Sequence, residues 1–328
     1  MNSKLKKILS TAAALVILIL AVLNWLGGEE DQPTAPAAQA PAAVAQQTGN
    51  AEEANGQTDQ QEAADGEFSL SQVPEWTGEY TNYFAVINNN TPYFTPAELE
   101  EARSAYESYS ELDPLGRCGP AIASVGKELM PTEARGSISS VHPTGWVNKS
   151  YEFINGKKIY NRSHLLGYTL TGENANEKNL ITGTRYLNED GMIPFENMVE
   201  DYVKETGGHV LYRVTPIFEG DNLVAAGVLM EGQSVEDGGK AVQFNVFCYN
   251  VQPGCIIDYA SGENTAAPYE LPAGAVEQDY VLNVNSKKFH FPSCSGAQDM
   301  KKDNRSEMHC ARDFLLQVGY KPCSSCNP

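Results

Sequence analysis

The sequence predicts an α+β body, a central antiparallel sheet with helices packed on it, followed by a small C-terminal zinc-binding module. Three observations carry that prediction. Short β-branched and aromatic runs alternate with turn-forming clusters, as where Tyr83–Ile87 meets Asn88-Asn89-Asn90. One stretch has helical periodicity instead: Phe195, Met198, Val199, Tyr202 and Val203 recur at i, i+3, i+4, i+7 and i+8. Finally, residues 279–328 hold His290-x3-Cys294 and Cys323-x2-Cys326, a donor pattern suited to tetrahedral zinc in a segment too short for a large core of its own.

The chain begins with a targeting pattern. Lys4, Lys6 and Lys7 precede an uncharged run of 19 residues, Ile8 to Leu26. A membrane-spanning helix needs about 20 apolar residues, and the positive flank stays in the cytoplasm. No small-x-small cleavage site follows, so residues 1–26 read as an uncleaved signal anchor, with a secreted product as the alternative. Either way the body is expected outside the cell. Residues 27–67 are rich in Ala, Gln, Pro and acid, with too few large apolar groups to offset the entropy of ordering them. They read as a tether. They also hold nine acids and no Lys or Arg, so the net charge of −19 leaves −10 for the remainder. Such a charge is awkward for a nucleic-acid binder, since phosphates favour Lys and Arg, so binding of that kind would need a local basic site.

The body runs from 68 to 264. Thr95–Tyr109 opens with Thr-Pro and an acidic first turn, the signature of a helix start. Ala121–Val125 reads as a short strand or edge segment. Tyr151–Ile159 reads as a hairpin about Asn155-Gly156, delivering Asn161–His164 from the end of its second strand. Asn179–Thr182, Val210–Ile217 and Leu223–Met230 read as strands. Val242–Tyr249 and Cys255–Tyr259 would form a hairpin about Gln252-Pro253-Gly254. That would face Cys248 to Cys255, as a disulfide or as two small buried hydrophobes. His142 and His209 read as structural or loop residues. Residues 265–278 read as a second linker.

The stretch that organises the chemistry is Asn161-Arg162-Ser163-His164, with Asn188 and Glu196 downstream. A histidine beside an arginine suits catalysis on an anion: imidazole takes a proton near neutral pH, and guanidinium neutralises phosphate. Asn188 lies in a turn ending Asp190-Gly191, and Glu196 lies off the apolar stripe in the first turn of the predicted helix. These residues resemble the DNA/RNA non-specific endonucleases with a ββα-metal (His-Me finger) site, whose motif reads Asp-Arg-Gly-His. Among them the membrane-attached DNA-entry nucleases of Gram-positive bacteria are the most similar in organisation. The resemblance spans roughly residues 80–259. Two departures stand out. Asn161 replaces an acid, and Ser163 replaces a glycine, so the backbone there does not need a positive φ.

The resemblance implies that His164 is the general base, that Asn188 binds one Mg2+ (or Mn2+), and that Glu196 orients a metal-bound water. Arg162, with Arg135 or Arg185, would neutralise the phosphate; Arg135 also has the plain reading of a solvated surface arginine. The implied reaction is hydrolysis of DNA or RNA with little base preference and no small organic cofactor. Three other readings stand beside it, a non-catalytic DNA-capture protein, a phosphodiesterase for small nucleotides and a secreted toxin.

In the C-terminal segment, Phe291-Pro292-Ser293-Cys294 and Gly319–Cys326 resemble the zinc module of the bacterial adaptive-response DNA-repair protein, with His290 in place of one of its four cysteines. The expected zinc ligands are His290, Cys294, Cys323 and Cys326; disulfides among the cysteines, or His309 and Cys310 as rival ligands, are the alternatives. Lys287, Lys288, Lys301, Lys302, Arg305, Arg312 and Lys321 give the segment a basic share. It is therefore expected to aid nucleic-acid contact and to be dispensable for cleavage if the chain is cut near Gly274.

Overall fold

A computed structural model describes residues 68–328. The expected anchor (1–26) and tether (27–67) lie outside the described residues. No helix among the described residues is long and apolar enough to cross a membrane.

The first strand, β1, is Phe84–Val86, and Asn88, Asn89 and Asn90 after it all take positive φ, a conformation asparagine tolerates. The helix expected over 95–109 is shorter, α1 at Pro96–Glu101. Its start is as expected: Thr95 and Glu98 form a reciprocal capping box. It stops because Tyr106–Tyr109 is better used as strand β2, paired with β3 at Ala121–Val125. Ser124 of β3 donates to the Ala102 carbonyl at 2.5 Å and satisfies the helix end. Two strands then stand apart, β4 at Tyr160–His164 and β5 at Leu180–Thr184, with the short helix α2 (Tyr168–Thr171) between them. A π-turn over Leu187–Met192 runs straight into α3, Ile193–Thr206.

The sheet is completed by β6 (Val210–Ile217), β7 (Gly227–Ser234) and β8 (Gln243–Tyr249). Its strand order is β1-β8-β7-β6-β3-β2, antiparallel throughout, so the expected central antiparallel sheet is present and β3 is an inner strand. The predicted stripe of α3 packs on it: Phe195, Val199, Tyr202 and Val203 join Tyr212, Met230, Phe244 and Val246 in one core.

Three local expectations fail. Residues 151–159 form no strand hairpin; positive φ at Gly156 and Lys157 closes an irregular loop, and the motif itself is the strand. Strand β7 starts at Gly227 rather than Leu223, because the preceding carbonyls of Asn222 and Leu223 are used by Arg117 and Thr144. The hairpin expected about 252–254 is absent, since β9 (Cys255–Ile257) pairs with β10 (Asn264–Ala266) and not with β8. Cys248 instead lies opposite Phe84 and Val228, fully buried, and all seven cysteines are free thiols.

The C-terminal segment builds its own sheet from β11 (Glu277–Asn283), β12 (Lys288–His290), β13 (Arg305–Ala311) and β14 (Lys321–Pro322), in the order β13-β11-β12-β14. Two short helices accompany it, α4 (Ser295–Gln298) and α5 (Arg312–Gln317). Yet it does not hang free. Tyr280, Leu282, Phe289, Phe314 and Leu315 share a core with Phe153, Ile154, Ile159 and Tyr160, the residues at the root of β4. Tyr320 donates to the Phe153 carbonyl at 3.0 Å, and Ser306 to Glu152 at 2.5 Å.

Candidate active site and metal cluster

The strand β4 pairs antiparallel with β5, so Arg162 lies opposite Thr182 and His164 opposite Leu180. Ser163 is fully buried on the other face and fills the space left by Gly183, where a Cβ would come within 2.2 Å of its hydroxyl. Strand alternation thus sends Ser163 into the core. Beyond β5 the chain turns through the π-turn into α3. Pro194 has no N–H to give to a preceding carbonyl, which favours a wide turn just before it. Strand, strand and helix converge on one cavity of about 440 Å³. Its walls include all six residues singled out in the nuclease body: Arg135, Arg162, His164, Arg185, Asn188 and Glu196.

His164 is only 6% exposed. Its Nε2 lies 2.8 Å from the Asn174 carbonyl, which can only accept, so Nε2 carries the proton. Nδ1 is then the basic atom, and Arg135 donates to it at 3.1 Å. Burial pushes the His164 pKa down to about 4; the Asn174 carbonyl works against that shift and the Arg135 charge adds to it. The ring is therefore neutral at neutral pH, the form a base requires. Glu196 is half-buried, and desolvation pushes it up to about 7, with Arg135 lowering it and Glu200 raising it. Gly167 makes room for it, since a Cβ there would sit 3.0 Å from the carboxylate.

The three arginines differ in what they already hold. Arg162 gives its donors to the carbonyls of Val141 and Ser139 and lies over Trp146 at 4.3 Å. Arg185 pairs with Glu189 at 2.9 Å. Arg135 is exposed and, among the described residues, has only the neutral imidazole as its hydrogen-bond acceptor. Asn188, expected in a turn, is in the π-turn, facing the cavity. Sequence reasoning missed Asn174, because a backbone carbonyl has no residue-type signature, and missed Gly167, Tyr168, Asn197 and Glu200 on the cavity wall. His142 and His209 lie elsewhere; His209 pairs with Glu236 at 2.7 Å.

The donor set suits a small hard cation. Asn188 offers a neutral amide oxygen, and Glu196 offers a carboxylate whose desolvation a positive charge would offset.

A second donor cluster lies in the C-terminal segment. One ligand atom from each of His290, Cys294, Cys323 and Cys326 lies within 4.8 Å of the others. His290 sits at the end of β12, and its Nδ1 is buried with no hydrogen-bond partner. Cys294 caps α4. Backbone N–H groups of Cys326 and Ser325 pull the Cys323 thiol down to about 7. A lone buried acceptor and a thiol poised to ionise fit a tetrahedral metal. The rival donors are engaged elsewhere: His309 pairs with Asp279 at 2.8 Å, and Cys310 lies in the shared core.

Comparison with known proteins bears on the fold that holds this cavity. Residues 98–236 match the family model described as DNA/RNA non-specific endonuclease, a span that holds all six cavity residues. NucA from Streptococcus agalactiae with magnesium bound is 24% identical, with a TM-score of 0.50, covering 57% of this chain and 88% of that one. Its metal-free form is 23% identical with a TM-score of 0.50, covering 60% and 92%. At such identities the likeness establishes the fold. Residues 98–236 are therefore similar to the DNA/RNA non-specific endonucleases, and the chain is an enzyme of the hydrolase class.

Proposed function

We propose that the protein is an exported, membrane-anchored, metal-dependent endonuclease that hydrolyses nucleic-acid phosphodiesters with little base preference. The observation that carries this is His164. Its Nε2–H is tied to the Asn174 carbonyl, and its Nδ1 accepts from Arg135 on the wall of a cavity that also holds Asn188 and Glu196. Arg135 turns its donor from Nδ1 to the phosphate, and water in the cavity then gives a proton to the freed Nδ1 as its oxygen attacks phosphorus. The bond to the 3′ oxygen breaks, and that oxygen is protonated from solvent. Arg135 meets the phosphate, because Arg162 and Arg185 already spend donors on the protein. Arg162 acts at one remove by fixing the 139–141 loop, which follows Ile138 of the cavity wall.

Asn188 would hold one Mg2+ or Mn2+, with Glu196 positioning a water in its shell. When bound, such an ion supplies positive charge facing the phosphate and the leaving oxygen. Magnesium is supported by the low number of protein donors and by the magnesium in the S. agalactiae structure. In the C-terminal segment His290, Cys294, Cys323 and Cys326 would hold one Zn2+, which ties β12, α4 and β14 together. Anchoring rests on Lys4, Lys6, Lys7 and the uncharged run to Leu26.

The test is digestion of plasmid DNA and of RNA by the full-length chain, with Mg2+ and with EDTA, against His164→Ala. Metal-dependent cleavage that the variant loses while still binding DNA is the expected result. Equal turnover by the variant overturns the assignment of the base, and DNA binding without cleavage by the wild type favours the capture protein.

A further inference from the structure

Asn188, Glu189 and Asp190 are consecutive in the π-turn, but their side chains divide between two sides of it. Asn188 lines the cavity. Glu189 takes Arg185 at 2.9 Å and Asn155 at 3.2 Å, and Asp190 accepts a hydrogen bond from the Tyr80 hydroxyl at 2.9 Å. Tyr80 comes from the segment ahead of β1, and its ring is gripped on several sides. Tyr186 meets it edge-on at 5.2 Å and donates to its carbonyl at 2.5 Å. Gly319 lies flat against it; a Cβ there would come within 2.3 Å of the ring. Lys287 Nζ sits 6.0 Å from the Tyr80 ring and 5.0 Å from that of Tyr320.

Gly319 and Lys287 both belong to the C-terminal segment. The Lys287 carbonyl accepts from Lys321, the first residue of β14, and β14 runs directly into Cys323 of the donor cluster. A continuous chain of contacts therefore leads from that cluster, through β14 and the turn at Lys287, to Tyr80 and then to the turn that presents Asn188.

We infer that Tyr80 is a positioning residue for the active site: its hydroxyl, held by the docked C-terminal segment, fixes the π-turn at Asp190 and so fixes the direction of Asn188. The inference deepens the nuclease reading and rests on it, in that Asn188 is taken as the ion's ligand. Physical reasons support it. A π-turn is a local irregularity kept by its surroundings. Shifting the helix by one residue would rotate Asn188 by about 100° around the axis. A hydrogen bond to a carboxylate is among the stronger single contacts able to prevent that.

The experiment uses the full-length chain and two readouts, Mn2+ binding followed by the electron paramagnetic resonance of the free ion, and plasmid cleavage across a Mg2+ series. Tyr80→Phe keeps the ring and its packing and removes only the hydroxyl. It should weaken Mn2+ binding roughly tenfold, with the maximal rate at saturating Mg2+ falling less than the metal affinity. Asp190→Asn keeps an acceptor but loses the charge and should fall between wild type and Tyr80→Phe, whereas Asp190→Ala should match Tyr80→Phe. Wild-type Mn2+ affinity in Tyr80→Phe, with or without a lower unfolding temperature, overturns the inference while leaving the nuclease reading intact. A wild-type chain that neither cleaves nor binds Mn2+ overturns both.

Discussion

His164 and Glu196 face one cavity but respond to pH in opposite senses, and Glu196→Gln separates them. His164 has its pKa depressed from 6.5 to about 4 in the folded protein. The unfolded chain therefore takes up its proton first on acidification, and stability is lost as pH falls from 6.5 to about 4. At 1.36 kcal/mol per unit that is about 3 kcal/mol. Glu196 is raised from 4.5 to about 7, so its contribution is fully present below 4.5 and is lost as pH rises through 7. Its carboxylate borders a cavity open to water, which reduces the contribution to about 2 kcal/mol. In the wild type the two nearly cancel between pH 4 and 7. Removing the Glu196 charge exposes the histidine. Urea unfolding of wild type and Glu196→Gln in EDTA, from pH 4 to 7.5, should show the variant gaining about 2 kcal/mol relative to wild type as pH rises. His164→Gln should show the reverse, a relative loss of about 3 kcal/mol over the same range. Differences that stay flat with pH would refute both the burial argument and the claim that His164 is held neutral.

Other outcomes follow from the same geometry. Asn188→Ala should raise the Mg2+ needed for half-maximal cleavage or abolish cleavage, checked by a metal titration; an unchanged titration removes Asn188 as a ligand. Arg135→Ala should cost about two orders of magnitude in kcat/KM, as loss of a phosphate-facing charge does, without moving the urea midpoint. Arg162→Ala should instead cost about 2 kcal/mol of stability, because two carbonyls and Trp146 lose their partner. Elemental analysis should find about one zinc per chain, and Cys326→Ser should lower both that content and the melting temperature. Ending the chain near Gly274 should abolish cleavage together with the fold, seen by circular dichroism; a folded, active product would show that the shared core is dispensable.

The parts of this protein that follow from side-chain identity were readable in its sequence. The apolar stripe of α3, the strands β6 and β8, the helix start at Thr95-Pro96, and the four donors of the C-terminal cluster are local patterns. What failed depended on which strand a segment pairs with, a choice its own residues do not reveal. Tyr106–Tyr109 is a strand only because β3 offers an open edge, and Cys255 is drawn to β10 and away from β8. In the candidate active site, His164, Asn188 and Glu196 stand out by residue type, whereas Asn174 meets His164 through a backbone carbonyl that any residue would supply. The engagement of Arg162 with Val141 and Ser139 was equally hidden, because a sequence shows a charge but not what already holds it. The seven basic residues of the C-terminal segment make the same point. Arg305 pairs with Glu307, Arg312 is bound to the Pro328 carbonyl, and Lys287 is enclosed by aromatic rings, leaving Lys288, Lys301, Lys302 and Lys321 exposed for phosphate.

The core shared by Tyr160 and Phe314 has a consequence for timing. The strand bearing His164 is made early, but the side chains that cover its root, from Tyr280 to Tyr320, are made more than a hundred residues later. A chain synthesised N-terminus first would therefore hold its catalytic strand unsupported until the C-terminal segment arrives and docks. Nuclease activity would then switch on late, as one event, instead of growing with the length of the nascent polypeptide. A partly made or C-terminally clipped molecule would be a poor nuclease, which keeps an enzyme indifferent to base sequence inactive while it is still being made.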